Sequence, residues 1–115
     1  MQQQQRVTRD DLRFMHEQLC EQARGLMKLK NTDYATSADP LRNFRTFEEL
    51  GILVRMSDKL ARLRTFCENK QLAVKSESVR DTILDVVNYA VLLHGYLVDT
   101  GALLPEPPAA PTVPG

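Results

Sequence analysis

The chain has 115 residues, of which 26% are charged and 43% hydrophobic, with Lys plus Arg and Asp plus Glu balanced at 15 each. That length supports one domain with a single core, and the balanced charge excludes a global basic field for duplex nucleic acid. No run of about 18 apolar residues is present, so no membrane-spanning helix is expected. The polar start MQQQQRVTRDD lacks the apolar stretch of a secretory leader, and a cytoplasmic protein is expected.

Three helices and no strand are predicted, giving an all-α fold. In the first, Thr8 and Asp11 have capping-box spacing, with Asp in place of Glu, and the helix runs to about Lys30. Its apolar positions are Leu12, Met15, Leu19, Ala23 and Leu26. Next comes LKNTDYATSADPLRNFRTF, which mixes turn formers with Tyr34, Phe44 and Phe47. A segment of that length and aromatic content in a small domain is more often functional than idle. The second helix begins near Thr46, with Glu49 placed to complete a capping box, and reaches about Asn69. Its apolar side is Leu50, Leu53, Met56, Leu60 and Leu63.

The third helix starts near Ser76 or Ser78 and stops at Gly101, placed as the C′ residue. It is apolar over more than one face, so two neighbours do not cover it. The prediction is therefore a bundle of three main helices per chain, completed by oligomerisation to a dimer or tetramer. A monomer with a short extra helix between 35 and 47 is the alternative. PEPPAAPTVPG is proline-rich and has no core-forming run. The division is thus residues 1–100 as the helical domain and 101–115 as a disordered tail. Cys20 and Cys67 form no CxxC and read as reduced thiols.

Chemistry concentrates on the third helix. Glu77, Asp81, Asp85 and Asn88 fall in one stripe at about 100° per residue. A solvated edge accounts equally well for Glu77 and Asp81, the latter also favoured by the helix dipole. Asp85 lies mid-helix between Leu84 and Val86, where Asp has poor propensity and needs a partner or a metal if buried. Carboxylates at i and i+4 converge on a point outside the helix and suit Mg²⁺.

On the second helix, Arg55, Asp58, Lys59 and Arg62 share the side opposite the Leu/Met face. They read either as a salt-laced surface or as a metal acid, Asp58, beside basic groups for phosphate. Glu49 projects toward the apolar arc, either as a cap or as a ligand. Lys28, Lys30, Asn31, Asp33, Tyr34, Asn43 and Phe44 supply an aromatic and amides able to stack on and read a base, or else a plug for the bundle end. His16 and His94 make no HxxxH pair, and there is no Gly-rich phosphate loop or GxSxG elbow.

NTDYATSADPLRNF, GILVRMSDKLARL and ESVRDTILDVVNYAVLL together resemble the all-α nucleoside triphosphate pyrophosphohydrolases. These are the MazG-like and dimeric-dUTPase relatives, especially the small phage type, and the likeness spans about residues 8 to 97. The resemblance implies an oligomeric bundle that holds Mg²⁺, or Mn²⁺ as a substitute, on acids from two helices. It implies cleavage of a nucleoside triphosphate, on this likeness a purine deoxynucleotide, to the monophosphate and pyrophosphate. The third-helix Glu-x-x-Asp pattern maps its Asp to Asp85, but Thr82 occupies the Glu position. The second-helix Glu-x-x-Glu is not literally present, and Asp58 with Glu49 or Glu48 would substitute.

The implied metal ligands are thus Asp58, Glu77, Asp81, Asp85 and Glu49, with Glu49, Asp58 and Asp85 catalytic. Arg55, Lys59, Arg62 and Lys30 would grip phosphates, and Asn31, Tyr34, Asn43, Asn88 and Tyr89 the nucleoside. The competing reading is a non-catalytic helical dimer, acting as an adaptor or a nucleotide-binding regulator.

Overall fold

A computed structural model describes residues 6–33, 39–69 and 78–105, with the side chains of 31–33 outside that set. The fold is all-helical: α1 spans Arg9–Asp33, a 3-10 turn covers Arg42–Phe44, α2 spans Glu48–Asn69 and α3 spans Val79–Asp99. No strand occurs among the described residues. The tail from 106 onward, Tyr34 and Glu77 lie outside them.

Two of the three helix starts follow local sequence. Thr8 N–H donates to Asp11 Oδ2 at 3.0 Å and Asp11 N–H donates to Thr8 Oγ1 at 3.0 Å. This reciprocal pair satisfies two orphan amides of α1. The Thr8 backbone N–H, and then its hydroxyl, hold the Asp11 carboxyl below its ordinary range. Ser78 caps α3 in the same way: Asp81 N–H donates to Ser78 Oγ at 3.0 Å, and the Asp81 carboxylate accepts from the Ser78 N–H. At the other end, Gly101 adopts φ +85°, and its N–H donates to Val98 O at 3.1 Å. That is the left-handed C′ position glycine occupies without a Cβ penalty.

The third start differs from its prediction. α2 begins at Glu48, two residues past Thr46, so Glu49 is not three positions beyond an N-cap and the Thr46–Glu49 capping box does not form. The chain instead enters the helix through Glu48 at φ +57°, a region that costs a residue with a Cβ about 1 kcal/mol.

Both α1 and α2 pack on α3, and the described parts of α1 and α2 do not pack on each other. Lys59 meets Asp85 while Ile52 joins a cluster with Tyr96, so α2 runs antiparallel to α3. Arg80 donates to Gln22 and Lys30 meets Asp85, so α1 runs parallel to α3. The first turns of α1 therefore overhang the start of α3. Leu12 and Met15, expected in the core, are exposed, whereas Ala23 is buried and Leu19 and Leu26 are half-buried.

The buried centre lies where the 3-10 turn and the start of α2 meet the end of α3. Leu41, Phe44, Ile52 and Tyr96 form it, flanked by Met56, Tyr89, Leu92 and Leu93. Arg45 fastens this end. Its guanidinium donates to both oxygens of Asp39 at 3.0 Å and to Asp99 Oδ2 at 2.6 Å, and it lies over the Tyr96 ring at 5.5 Å. Ion pairing of this bidentate kind fixes orientation as well as charge.

The apolar side predicted for α2 needs correction. Leu50, Leu53 and Leu60 are exposed, and the residues turned toward α3 are Ile52, Met56, Lys59, Leu63 and Phe66. Only Met56 and Leu63 belong to both sets. The helix has two apolar stripes, and a pattern count weighted toward leucine selects the outer one.

Candidate functional site

The three helices converge on one carboxylate. Asp85, three residues past buried Thr82, sits with its side chain 16% exposed midway along α3. From α2, Lys59 brings its Nζ to 2.9 Å from Asp85 Oδ2, with its own side chain 20% exposed. From the last turn of α1, Lys30 places its Nζ 3.6 Å from Asp85 Oδ1, 55% exposed. Each oxygen of one acid thus faces an ammonium group from a different helix.

The sequence explains why each group is there. Lys59 lies three residues beyond Met56 and four before Leu63, inside the stripe that packs on α3. Its stem covers apolar surface while its charge meets the Asp85 carboxylate. Asp85 is three and four residues from Thr82 and Tyr89, on the side of α3 that faces its neighbours. A carboxylate in that position would carry a desolvation cost without a partner. Two ammonium groups thus meet one carboxylate at the junction. The Lys30 ammonium, half-exposed, suits an anion.

The remaining predicted site residues are distributed more widely. Arg62, one turn beyond Lys59, is half-buried, and Asp58 and Asn43 are exposed. Arg55 extends the other way along α2, and its guanidinium lies 5.6 Å from the centroid of the Phe44 ring as a cation–π contact. Glu49 is half-buried in the first turn of α2. The Asp81 carboxylate is committed to the Ser78 cap rather than to the junction. Asn88 and Tyr89 are half-buried on α3, Tyr89 against the core. Asn31 belongs to the last turn of α1, its side chain outside the described set, as are Tyr34 and Glu77.

These positions decide how far the acids can serve as a resident metal centre. Mg²⁺ asks for near-octahedral oxygen ligands, and a lysine ammonium beside a ligand oxygen opposes it. Among the described residues no three His, Cys, Asp or Glu side chains meet as a metal-holding group. Both Asp85 oxygens face ammonium groups and Asp81 serves a cap. The described donor set does not fit a metal site by itself.

Sequence reasoning missed the Arg45 cluster. Asp39 was read as a turn former, and it is one: its Oδ1 accepts from Leu41 N–H at 3.0 Å. The bonds from Arg45, followed by that backbone bond, hold the Asp39 carboxyl below its ordinary range, and the two acids push the Arg45 guanidinium up. The Asp-Pro pair was a usable signal for the turn. The partner Asp99, 54 residues away in sequence, carried none.

A family model described as "Nucleotide modification associated domain 1" (DUF1599) matches residues 30–94, more than half of the chain. Neither a curated protein nor a solved structure matches it. The matched range starts at Lys30 and takes in Lys59 and Asp85, so it encloses the whole junction.

Proposed function

The chain belongs to the nucleotide modification associated domain 1 family, and on that premise we propose that it binds a nucleoside triphosphate at the three-helix junction and hydrolyses it to the monophosphate and pyrophosphate. The observation that carries the reading is the convergence of Lys30 and Lys59 on Asp85. A triphosphate is a dense anion, and ammonium groups held by a scaffold offset its charge without reorganising when it arrives. Lys59, anchored in the α2–α3 seam, is the fixed element of this grip. Lys30, more exposed, closes from α1, and Arg62 adds a fork suited to phosphate oxygens. Asp85 orients both ammonium groups. Asn88 and Tyr89, on the next turn of α3, would meet the nucleoside.

A second reading has one observation in its favour: among the described residues the acids do not gather into a cluster. On that reading the protein binds nucleotides and turns none over, acting as a regulator. The divalent ion implied by the pyrophosphohydrolase resemblance is a proposal that the same assay addresses. Incubation with each of the eight common NTPs and dNTPs, with and without Mg²⁺ or Mn²⁺, should release pyrophosphate from at least one. Calorimetric binding without pyrophosphate release would favour the regulator. Absence of binding by all eight would remove both readings.

A further inference from the structure

Asp85 is the acid that the pyrophosphohydrolase resemblance gives to a divalent ion, yet lysines meet both of its oxygens. Lys59 Nζ stands 2.9 Å from Oδ2 and Lys30 Nζ 3.6 Å from Oδ1. An ion bonded to either oxygen at about 2.1 Å would lie roughly 4 Å from an ammonium of like sign. The other acids give such an ion little help. Asp81 closes the Ser78 cap, and Glu49 lies ten residues before Lys59 on α2, a rise of about 15 Å. Asp58 is exposed, and among the described residues no three candidate ligands gather. What the junction sets beside its acid is positive charge, delivered by two helices.

On the nucleotide reading of the junction given above, we propose that the Lys59–Lys30 pair takes the place of a divalent ion, so that the site receives a polyphosphate as the free anion rather than as its magnesium complex. Three observations carry this. First, Lys59 is only 20% exposed in the α2–α3 seam. The fold therefore sets its position before any ligand arrives, which is what a resident cation would supply. Second, Lys30, 55% exposed and at the looser 3.6 Å, can turn from Asp85 to an arriving phosphate oxygen without unpacking a helix. Third, Asp85 meets each ammonium on a separate oxygen, so the two charges are held apart and can reach different phosphates of one ligand. Magnesium works against such a site from both sides. The ammonium groups repel it, and in solution it neutralises the charge that they read.

Calorimetric titration of the full chain with inorganic tripolyphosphate and with dGTP, each in EDTA and in millimolar Mg²⁺, tests this. Both probes should bind in EDTA, and Mg²⁺ should weaken tripolyphosphate about fivefold. In EDTA, Lys59→Gln should weaken both probes about tenfold. Lys59→Arg, which keeps a cation at that place, should stay within about threefold of the parent. The comparison of EDTA with Mg²⁺ on the parent needs no variant, so it stands whether or not Lys59→Gln folds. Tighter binding in Mg²⁺ than in EDTA would overturn the proposal and leave the junction as a nucleotide site that needs its ion. Binding indifferent to Lys59→Gln would overturn it too. So would dGTP binding in EDTA without tripolyphosphate binding, since the affinity would then belong to the nucleoside. Failure of both probes in both solutions would remove the nucleotide reading itself, and this proposal with it.

Discussion

At the scale of single residues, Asp85 is the position where fold and chemistry are hardest to separate. Replacing it with Asn keeps the shape but removes the negative charge that both ammonium groups meet. For partly buried groups that costs on the order of 1–2 kcal/mol, so thermal unfolding of Asp85→Asn should move down by several degrees. Pyrophosphate release should be lost. Lys59→Ala should weaken nucleotide binding at least tenfold, about 1.4 kcal/mol, while the same change at Arg55, turned toward Phe44, should alter it less than threefold. Equal losses at Lys59 and Arg55, measured calorimetrically, would move the phosphate site away from the junction. Glu48 offers a cleaner test of backbone strain. At φ +57° the Cβ is unfavourable, so Glu48→Gly should raise stability by about 1 kcal/mol although glycine weakens most helices. Glu48→Ala keeps the Cβ and should not.

At the scale of elements, the Arg45 cluster ties the 3-10 turn to the end of α3, and its acid dependence has a definite sign. The folded-state carboxyl of Asp39 titrates below its unfolded value. Its contribution is therefore fully present above roughly pH 4 and is lost as the pH falls through the lower, folded value. Unfolding midpoints should drop more steeply below pH 4 in the parent than in Asp39→Asn, and equal slopes would remove Asp39 from this role.

The helices themselves were legible because their signals are local. The Thr8–Asp11 box, the Ser78 cap and Gly101 each involve residues a few positions apart. The face of α2 was not legible, because two apolar stripes share one helix and only packing on α3 decides which is buried. The start of α1 shows the same limit. Its periodicity continues through Leu12 and Met15, but α3 begins only beyond them. Of the candidate site, Lys59, Lys30 and Asp85 were each singled out from the sequence. Their pairing was not, since it depends on the parallel and antiparallel directions of the two flanking helices.

At the scale of the whole molecule, the described chain buries few large side chains for its length. Its core cluster occupies one end, and the stripe on α2 faces outward. A domain of this size is marginal when its apolar surface stays wet. If association completes the bundle, as the apolar character of α3 predicts, folding and association share one equilibrium, and stability must depend on protein concentration by mass action. Raising the chain concentration a hundredfold should then shift the unfolding midpoint upward by several degrees. Leu60→Arg should leave the midpoint at high dilution unchanged, because the substitution touches only surface that the single chain leaves exposed. A lower midpoint at high dilution would mean that Leu60 supports the fold within one chain, and the two-stripe description of α2 would have to be withdrawn.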